Sequence, residues 1–407
     1  MNQSMSWRWT AIAVIAVASS LNFLDRQLLA ALAPQLMREF HITAGQYGDV
    51  IFAFSICYAV SAPLAGLLID RLGLRFGTAI TVAVWSTAGL ATGLTATLAQ
   101  LTLCRATLGV AEAGGVPATG KACAVFLKPQ ERAIGSGITQ LGLSLGAVLA
   151  PPLAELCALQ WGWRSAFVVA GALGFVWVPF WLWIGPRALK AGGEAVSPAP
   201  QAAPAPDSAV RAIATDRRYW AILAANVLLM MVYSLWVNWT TVFLVRVHHL
   251  SQHAANTSLA WIPPVFASAG GLVGGWLALR WYRGGNIIRA RMRAILTAAL
   301  LLLATALVPL AGRPGLATAL ICLSFFACVL GSVNIYSLPL DLFGARHAAF
   351  AVSGLTGVYG LIQGGFSSVV GRVIDARGFA PVCLVVALCP LCSWLVLRTA
   401  LRREVSA

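Results

Sequence analysis

Residues 191–207 read AGGEAVSPAPQAAPAPD, and this stretch of alanine, proline and glycine lies near the middle of an otherwise apolar chain. Such a composition cannot build a packed core. On each side of it the sequence divides into six apolar segments of about 20 residues, the length that a helix needs to cross a bilayer. The sequence therefore predicts an all-α membrane protein with two bundles of six transmembrane helices, residues 1–187 and 219–407, joined by a cytoplasmic linker at 188–218.

The composition of the 407 residues excludes other broad classes of protein. Hydrophobic side chains make up 59% of the chain and charged ones only 10%, and the mean hydropathy is +0.81. Soluble domains carry about a quarter charged residues, and disordered chains combine low hydrophobicity with high charge. The apolar segments also lack the alternation of membrane β-strands. The predicted spans are 9–33, 46–69, 77–97, 99–126, 133–156, 164–186, 219–245, 257–281, 293–311, 315–339, 348–371 and 379–400.

The basic residues indicate the orientation of the chain in the membrane. The formal net charge is +15, and most of the 28 lysines and arginines lie outside the spans on the side of the N-terminus. This is the positive-inside bias, so we expect cytoplasmic termini in a bacterial-type inner membrane. No basic run is interleaved with aromatic residues, so we expect no nucleic-acid partner. The nine cysteines, mostly within apolar segments, are expected to pack as small apolar residues.

Some ionisable residues lie within the predicted spans of the first half, away from their edges: Asp25, Arg26, Arg105, Glu112 and Lys121. A charge at the bilayer centre costs about 2.5–3.5 kcal/mol on the insertion scale, so such residues are rare and usually functional. The sequence of the second half has none in such a position. Arg105 and Glu112 are two helical turns apart on one face, so both can line one cavity. We expect the charged part of a binding site in the first half.

The chemistry of these residues suits coupled transport of an anion. The planar guanidinium of arginine binds two carboxylate oxygens at once and keeps its charge at any working pH. A buried aspartate or glutamate can load and release a proton. Because Asp25 and Arg26 point about 100° apart on one helix, we expect Asp25 to pair with Arg105 and Arg26 to remain for a ligand. A static Asp25–Arg105 pair is the alternative, and Lys121 is expected to snorkel rather than to gate.

Polar, neutral residues are candidates for binding the uncharged part of a substrate, because a site built from amides and hydroxyls discriminates strongly against molecules that lack the matching group. They favour a sugar acid or another hydroxylated monocarboxylate as substrate. Helix packing is the alternative role for each of them. The candidates are Gln140, Trp236, Asn238, Asn334, Ser353, Tyr359 and Gln363.

Each half contains a glycine-rich second helix that runs into a basic loop. In the first half Gly66 is followed by Asp70-Arg71, Gly73 and Arg75, and residues 275–284 of the second half are a degenerate copy without the acid. This weak internal repeat indicates two related halves. Such halves are typical of secondary transporters that work by alternating access.

The first of these loops resembles the signature loop of the major facilitator superfamily, between its helices 2 and 3. Glycines let helices approach closely, and a carboxylate at a helix end can accept hydrogen bonds from another helix terminus. The resemblance implies that Gly66, Asp70, Arg71 and Arg75 take part in gating, with Asp70 as a latch on the cytoplasmic side. A basic loop that only sets the topology is the alternative.

Within that superfamily the chain resembles the anion:cation symporter group, which includes hexuronate, galactonate and sialin-like transporters. The resemblance implies that Asp25 and Glu112 couple transport to protons, and that Arg26, Arg105 and Tyr58 bind the substrate. It covers nearly the whole chain and is carried most strongly by residues 22–26, 105–112, 128–132, 162–167 and 334–343.

These observations together predict a proton-coupled symporter of an organic carboxylate anion, and not an enzyme. An anion exchanger or a spinster-like lysolipid carrier of the same fold is the alternative; a transporter-like sensor fits less well, because no signalling domain is attached. We expect a monomer without metal or cofactor, with the proton as coupling ion and sodium as the alternative. The role of the cluster of His248, His249 and His253, proton sensing or metal binding, stays open.

Overall fold

The computed structural model describes residues 3–128, 131–192, 213–282, 285–343 and 345–406. The described part of the chain contains helices and no strand, so the predicted all-α class is confirmed. Before the linker lie α1 (Gln3–Glu39), α2 (Ala44–Gly93), α3 (Leu98–Glu112), α4 (Gly115–Phe126), α5 (Arg132–Trp161) and α6 (Arg164–Gly192). After it lie α7 (Arg217–Val247), α8 (Gln252–Ser258), α9 (Ile262–Tyr282), α10 (Ile287–Leu302) with a 3-10 continuation (Leu303–Leu310), α11 (Pro314–Phe343), α12 (Ala345–Arg377), α13 (Phe379–Ala400) and α14 (Arg402–Ser406).

The predicted spans all fall on these helices. Within the described residues, eight helical segments are long and apolar enough to cross a bilayer, and the bent α2 makes a ninth. The structure corrects two boundaries. The second and third predicted spans run together in α2, and the fourth is divided into α3 and α4 by a break after Glu112.

Gly73 is the point at which α2 changes direction between the second and third predicted spans. Its backbone has φ +74° and ψ 160°, which is not helical. A positive φ is accessible to glycine and costly for residues with a Cβ atom. The turn that joins the two spans therefore depends on this one residue, and the basic side chains around it stand on helical backbone.

The contacts divide the chain into two compact units. The first comprises Met1–Ile42, Asp49–Gln201 and Gln252–Thr257, and the second comprises Thr43–Gly48, Ala202–Ser251 and Ser258–Ala407. The predicted linker at 188–218 lies mostly outside the described residues, so its extent stays a prediction.

The core of the first unit fixes α1 against its neighbours. This helix packs along α5 and α6, and the buried aromatic side chains beside it include Trp85, Phe126, Trp177 and Trp181. The rings of Trp177 and Trp181 stack with centroids 5.6 Å apart. The indole Nε1 of Trp177 donates to the carbonyl of Val14 at 2.8 Å. The packing therefore holds in place the helix that carries Asp25 and Arg26.

In the second unit α7 packs against α11, α12 and α13. The hydroxyl of Ser393 on α13 donates to the carbonyl of Ala225 on α7 at 2.7 Å. The amide Nδ2 of Asn226 on α7 donates to the carbonyl of Leu355 on α12 at 3.3 Å. Neutral side chains make these buried bonds between helices.

Candidate functional site: a charged cluster in the first unit

An ion pair joins α1 to the end of α3 inside the first unit. The Nε of Arg26 lies 2.5 Å from Oε2 of Glu112. The side chain of Glu112 is 0% exposed, and that of Arg26 is 25% exposed. Burial strengthens such a pair because little solvent screens it. The structure thus brings together two of the charged residues that the sequence predicted. The family resemblance implies substrate binding for Arg26 and proton coupling for Glu112.

The guanidinium of Arg26 also lies against two aromatic rings of α2. Its Cζ is 4.5 Å from the ring centroid of Tyr58 and 5.0 Å from that of Phe54. The two rings are one helical turn apart and stack with centroids at 5.9 Å. Both rings contribute cation–π attraction and limit the motion of the guanidinium. Tyr58 was predicted from the sequence and Phe54 was not. Phe54 lies four residues before Tyr58, and this spacing indicates that the two side chains are neighbours on one helix face.

A close approach of α3 to α2 brings this aromatic pair beside the charged residues. A Cβ atom at Gly109 would lie 3.1 Å from the backbone nitrogen of Tyr58 and closer still to the carbonyl oxygen of Phe54. Any larger residue would therefore push the helices apart. The position of Tyr58 relative to Glu112 thus depends on this glycine.

Arg105 is buried beside Asp25 but binds it in another way than expected. Its Nη1 donates to the main-chain carbonyl of Asp25 at 3.2 Å, and its Cζ lies 4.9 Å from the ring centroid of Phe167. The guanidinium also interacts electrostatically with the Asp25 carboxyl group. Arg26, which was expected to remain for a ligand, is paired with Glu112 in this structure, and its role in binding a ligand stays a prediction.

The directions in which consecutive side chains leave α1 explain why Asp25 and Arg26 have different partners. The carboxyl Oδ1 of Asp25 lies 3.7 Å from the position that a Cβ atom on Gly89 of α2 would take. Asp25 therefore faces the later part of α2, whereas Arg26, about 100° further around α1, reaches Glu112. The rotation of the helix about its axis decides these partners.

Two buried carboxyl groups of the cluster have an oxygen that can accept a proton. Asp25 is 2% exposed and Glu112 is 0% exposed. Within the described part of the protein, Oδ1 of Asp25 and Oε1 of Glu112 have no hydrogen-bond partner. A buried carboxylate oxygen without a donor is costly, and it is a position where a proton or a water molecule relieves that cost.

The residues predicted to gate lie on α2, and Lys121 of α4 reaches one of them. Oδ1 of Asp70 is 2.8 Å from Nζ of Lys121, and Nζ of Lys121 also donates to the carbonyl of Ile69 at 3.1 Å. Arg75 donates to the carbonyl of Leu182 at 3.2 Å. Arg71 is exposed. Lys121 was expected to snorkel, and its ammonium ends at the exposed carboxylate of Asp70 in the predicted gating loop, so the choice between snorkelling and gating stays a prediction.

Gly66 and Gln140 complete the predicted residues of the first unit. A Cβ atom on Gly66 would meet Pro117 only at 3.9 Å, an ordinary van der Waals contact. The side chain of Gln140 is exposed and lies on the wall of a cavity between α1, α2, α4 and α5. Neither residue contacts the pair of Arg26 and Glu112 through a hydrogen bond that the structure describes.

Three of the second-unit candidates are engaged in packing. Nδ2 of Asn334 donates to the carbonyls of Gly274 and Leu330 at 3.1 and 2.9 Å, and the residue is fully buried between α9 and α11. Nδ2 of Asn238 donates within α7 to the carbonyl of Ser234 at 2.9 Å. Trp236 is 1% exposed. Nδ2 of Asn334 and of Asn238 is used in main-chain hydrogen bonds, whereas Oδ1 of Asn334 and Nε1 of Trp236 have no partner in the described protein, so a role in binding stays a prediction.

The other second-unit candidates stand on α12. Gln363 and Tyr359 are partly exposed, and the hydroxyl of Tyr359 is near those of Tyr233 and Tyr336. The sequence analysis missed Tyr233 and Tyr336, although a tyrosine near an apolar helix centre is a signal for a buried hydroxyl. The side chain of Ser353 lies outside the described residues.

The histidine cluster meets a carboxylate that is distant in sequence. Nδ1 of His253 lies 3.5 Å from Oε1 of Glu155 on α5. The same carboxylate accepts from the side-chain amides of Gln252 and Asn256, each at 3.4 Å. Burial and the adjacent His249 hold the pKa of His248 below its usual value. In the described part of the chain no group of three His, Cys, Asp or Glu side chains can hold a metal ion.

The sequence model of the Major Facilitator Superfamily matches residues 15–371. The chain belongs to this superfamily. As a member of the major facilitator superfamily it is a multi-pass membrane transporter and not an enzyme. This membership also confirms the predicted architecture of twelve helices in two bundles.

Several relatives of this major facilitator chain have names that describe their substrates. The hexuronate transporter of Escherichia coli (strain K12) is 32% identical, with 99% of this chain and 96% of that protein covered. The galacturonate transporter of Dickeya chrysanthemi is 29% identical over 77% of this chain and 94% of its own length. The probable sulfoacetate transporter of Cupriavidus necator is 28% identical over 93% and 90%.

A solved structure supports the fold. The crystal structure of a bacterial homolog to the human lysosomal transporter Spinster has a TM-score of 0.76 to this major facilitator chain. The two share 20% sequence identity, and the alignment covers 98% of this chain and 96% of the other. At that identity the likeness concerns the fold alone.

Proposed function

We propose that this chain imports a hexuronate, or a closely similar hydroxylated monocarboxylate, by proton-coupled symport and alternating access. The names of the hexuronate and galacturonate transporters support this substrate class, and that of the probable sulfoacetate transporter supports a small organic anion more broadly. The observation that carries the proposal is the buried ion pair of Arg26 and Glu112 beside the ring of Tyr58.

Competition for Arg26 couples the proton to the substrate. In the ion pair, the carboxylate of Glu112 occupies the guanidinium. When Glu112 takes up a proton it loses its negative charge, and Arg26 can then bind the substrate carboxylate with the two donors of its planar fork. When Glu112 releases the proton, the ion pair forms again and the substrate is displaced. The proton site on Glu112 and the substrate site on Arg26 are therefore filled together and emptied together.

Asp25 is proposed as a second proton site. Its carboxyl is buried, and one oxygen has no hydrogen-bond partner in the described protein. One proton with a monoanion moves no net charge across the membrane. Two protons would move one positive charge, which contributes about 2.3 kcal/mol per 100 mV of membrane potential. The voltage dependence of uptake therefore tells whether Asp25 titrates during transport.

The remaining contacts and the orientation complete the proposal. Tyr58 and Gln140 of the first unit are proposed to bind substrate hydroxyls, because each is at least partly exposed. Their amides and phenols can donate and accept. The excess of basic residues on the side of the N-terminus supports the proposal that both termini lie in the cytoplasm of a bacterial cell.

The decisive experiment measures galacturonate uptake into proteoliposomes, with and without an inwardly directed proton gradient. Glu112→Gln keeps the size of the side chain and removes its titration. We expect this variant to lose gradient-driven accumulation at least tenfold and to keep exchange of labelled for unlabelled galacturonate. Glu155→Gln is the matched control, since Glu155 is also a buried carboxyl of the first unit, and its accumulation should be unchanged.

The possible results separate the alternatives. Full accumulation by the Glu112→Gln variant would contradict the coupling role. Exchange without any gradient-driven uptake by the unmodified protein would identify an anion exchanger. Transport of a lysolipid in place of the acids would identify a lipid carrier of the same fold.

A further inference from the structure

A cavity of about 300 Å³ lies within the first unit between α1, α2, α4 and α5. Its walls include side chains that can form hydrogen bonds, among them Asn22 of α1, Thr78 and Thr81 of α2 and Thr119 of α4. None of the residues that line it carries a charge. An anionic substrate is held in proteins by cations or by several aligned donors, so this lining suits a neutral ligand.

The cavity begins where the charged cluster ends. Asn22 stands one turn before Asp25 on α1, and Gly115 stands three residues after Glu112. Nδ2 of Asn22 is 3.6 Å from the position of a Cβ atom on Gly115. Trp85 of α2, another residue of the wall, stands one turn before Gly89, which faces Asp25. Asp25 and Glu112 thus each stand three residues from a residue of the cavity wall.

Several buried polar atoms around this junction have no hydrogen-bond partner in the described protein. Their residues are 6% exposed or less. Buried polar groups in native proteins are bonded either to protein or to ordered water. A water molecule needs about 10–15 Å³ and two to four polar partners, so the cavity has room for several. The atoms are Nδ2 of Asn22, Oδ1 of Asp25, Oγ1 of Thr78, Nε1 of Trp85 and Oε1 of Glu112.

We infer that this cavity holds a chain of water molecules through which Glu112 and Asp25 exchange protons with the solvent on the side of the N-terminus. In the release step, the O–H bond of the Glu112 carboxyl breaks and the proton forms a bond to the nearest water. That water passes a proton to the next, so that one proton reaches the solvent and charge is conserved. The carboxylate left behind pairs again with Arg26. This inference rests on the proposed proton coupling.

The transport test removes two hydroxyls from the wall without changing its shape. Thr78→Val with Thr81→Val should lower proton-driven accumulation of galacturonate at least tenfold and leave exchange at equal pH within twofold. Thr92→Val is the matched control, because Thr92 is a fully buried threonine of the same helix that does not line the cavity. Unchanged accumulation in the double variant, or an equal fall in accumulation and exchange, would overturn the inference.

A second measurement tests for the water directly. Hydroxyl radicals made by a short X-ray pulse label side chains that touch water. Trp85 and Trp181 are 2% and 0% exposed. Nε1 of Trp85 has no partner in the described protein, whereas Trp181 donates its Nε1 to the carbonyl of Arg75 and does not line the cavity. In the unmodified protein we expect at least fivefold more labelling of Trp85 than of Trp181. In the variant with Thr78→Val and Thr81→Val we expect less labelling of Trp85 than in the unmodified protein.

The two measurements fail independently. Equal labelling of Trp85 and Trp181 overturns the inference whatever the transport shows. If Trp85 is labelled but uptake by the unmodified protein does not respond to a proton gradient, the water-filled cavity stands, and both the proton path and the proposed coupling are wrong.

Discussion

The two units bury different kinds of polar side chain. In the first, Asp25, Arg105 and Glu112 are at most 2% exposed. In the second, the fully buried polar residues include Asn334 and Ser393, which donate to main-chain carbonyls. The described ion pairs of the second unit involve residues near helix ends, namely Arg218 with Glu404, Arg246 with Asp375 and Arg291 with Asp341.

This difference indicates that the first unit carries the proposed proton coupling. A charge inside a bundle is costly and becomes useful when its loss, by protonation, changes what a neighbour binds. Neutral amides and hydroxyls cannot switch in this way at physiological pH, but they hold helices together. One charged bundle is therefore enough for the proposed proton coupling, and the other can supply packing and hydrogen bonds.

The strongest test of the comparison is the stability of Arg105→Met against that of Asn334→Leu. Removing Arg105 leaves Asp25 and Glu112 with less positive charge in a buried site, which costs about 3–5 kcal/mol. Removing the Asn334 amide loses hydrogen bonds to two carbonyls, for about 1–3 kcal/mol. Chemical unfolding in detergent measures both.

A double variant separates charge from packing in this test. Asp25→Asn added to Arg105→Met should recover part of the lost stability, because it removes the negative charge that Arg105 balances. Equal losses for the two single variants, without recovery in the double one, would mean that the two units are stabilised in the same way.

A smaller effect is expected from Arg26→Lys. The ammonium keeps the charge but lacks the planar fork, so the KM for galacturonate should rise about tenfold, which corresponds to about 1.4 kcal/mol. Arg187→Lys is the control, since Arg187 also stacks on an aromatic ring, that of Trp183 at 4.4 Å, outside the cluster. An unchanged KM for Arg26→Lys would argue against direct contact with the substrate.

The smallest effect concerns the charges outside the membrane spans of the first unit. The main-chain N–H of Lys128 and the guanidinium of Arg8 hold the pKa of Glu131 below its usual value. Since the pKa is lower in the folded state, Glu131 stabilises the protein above its ordinary pKa, and this contribution is lost as the pH falls through the folded value.

The measurement is the melting temperature of Glu131→Gln and of the unmodified protein between pH 7 and pH 3. The difference in melting temperature should be largest at pH 7, where it corresponds to at most about 1 kcal/mol of stability for an ion pair of this exposure. It should vanish at the acid end of the range. Glu39→Gln, which breaks the exposed pair with Arg164, should show a smaller difference. A Glu131 difference that grows toward low pH would contradict the assigned sign.

The charged residues of the site could be predicted from the sequence, but their partners could not. Asp25, Arg26, Arg105 and Glu112 stand out because charges are rare in apolar segments. Which of them pair depends on how each helix is turned about its axis, and hydropathy carries no record of that rotation. For this reason the pair of Arg26 with Glu112 replaced the expected one.

Residues distant along the chain were also beyond prediction. Glu155 accepts hydrogen bonds from Gln252 and Asn256, about a hundred residues away, and no local pattern connects them. Asn334 looks like a polar lining residue in the sequence, and only its contact with Gly274 shows that its amide nitrogen is occupied, while Oδ1 has no partner in the described protein.

The sequence by itself determined that the protein is an all-helical membrane transporter of the major facilitator superfamily with its buried charges in the first half. Lipid imposes that outcome, because it demands long apolar segments with internally bonded backbones and makes every buried charge conspicuous. The tertiary structure decided which carboxylate holds Arg26, that the fourth span breaks after Glu112, and that a cavity with an uncharged lining lies between α1, α2, α4 and α5. These depend on distances between helices, which are set by packing in three dimensions and not by the order of residues along the chain.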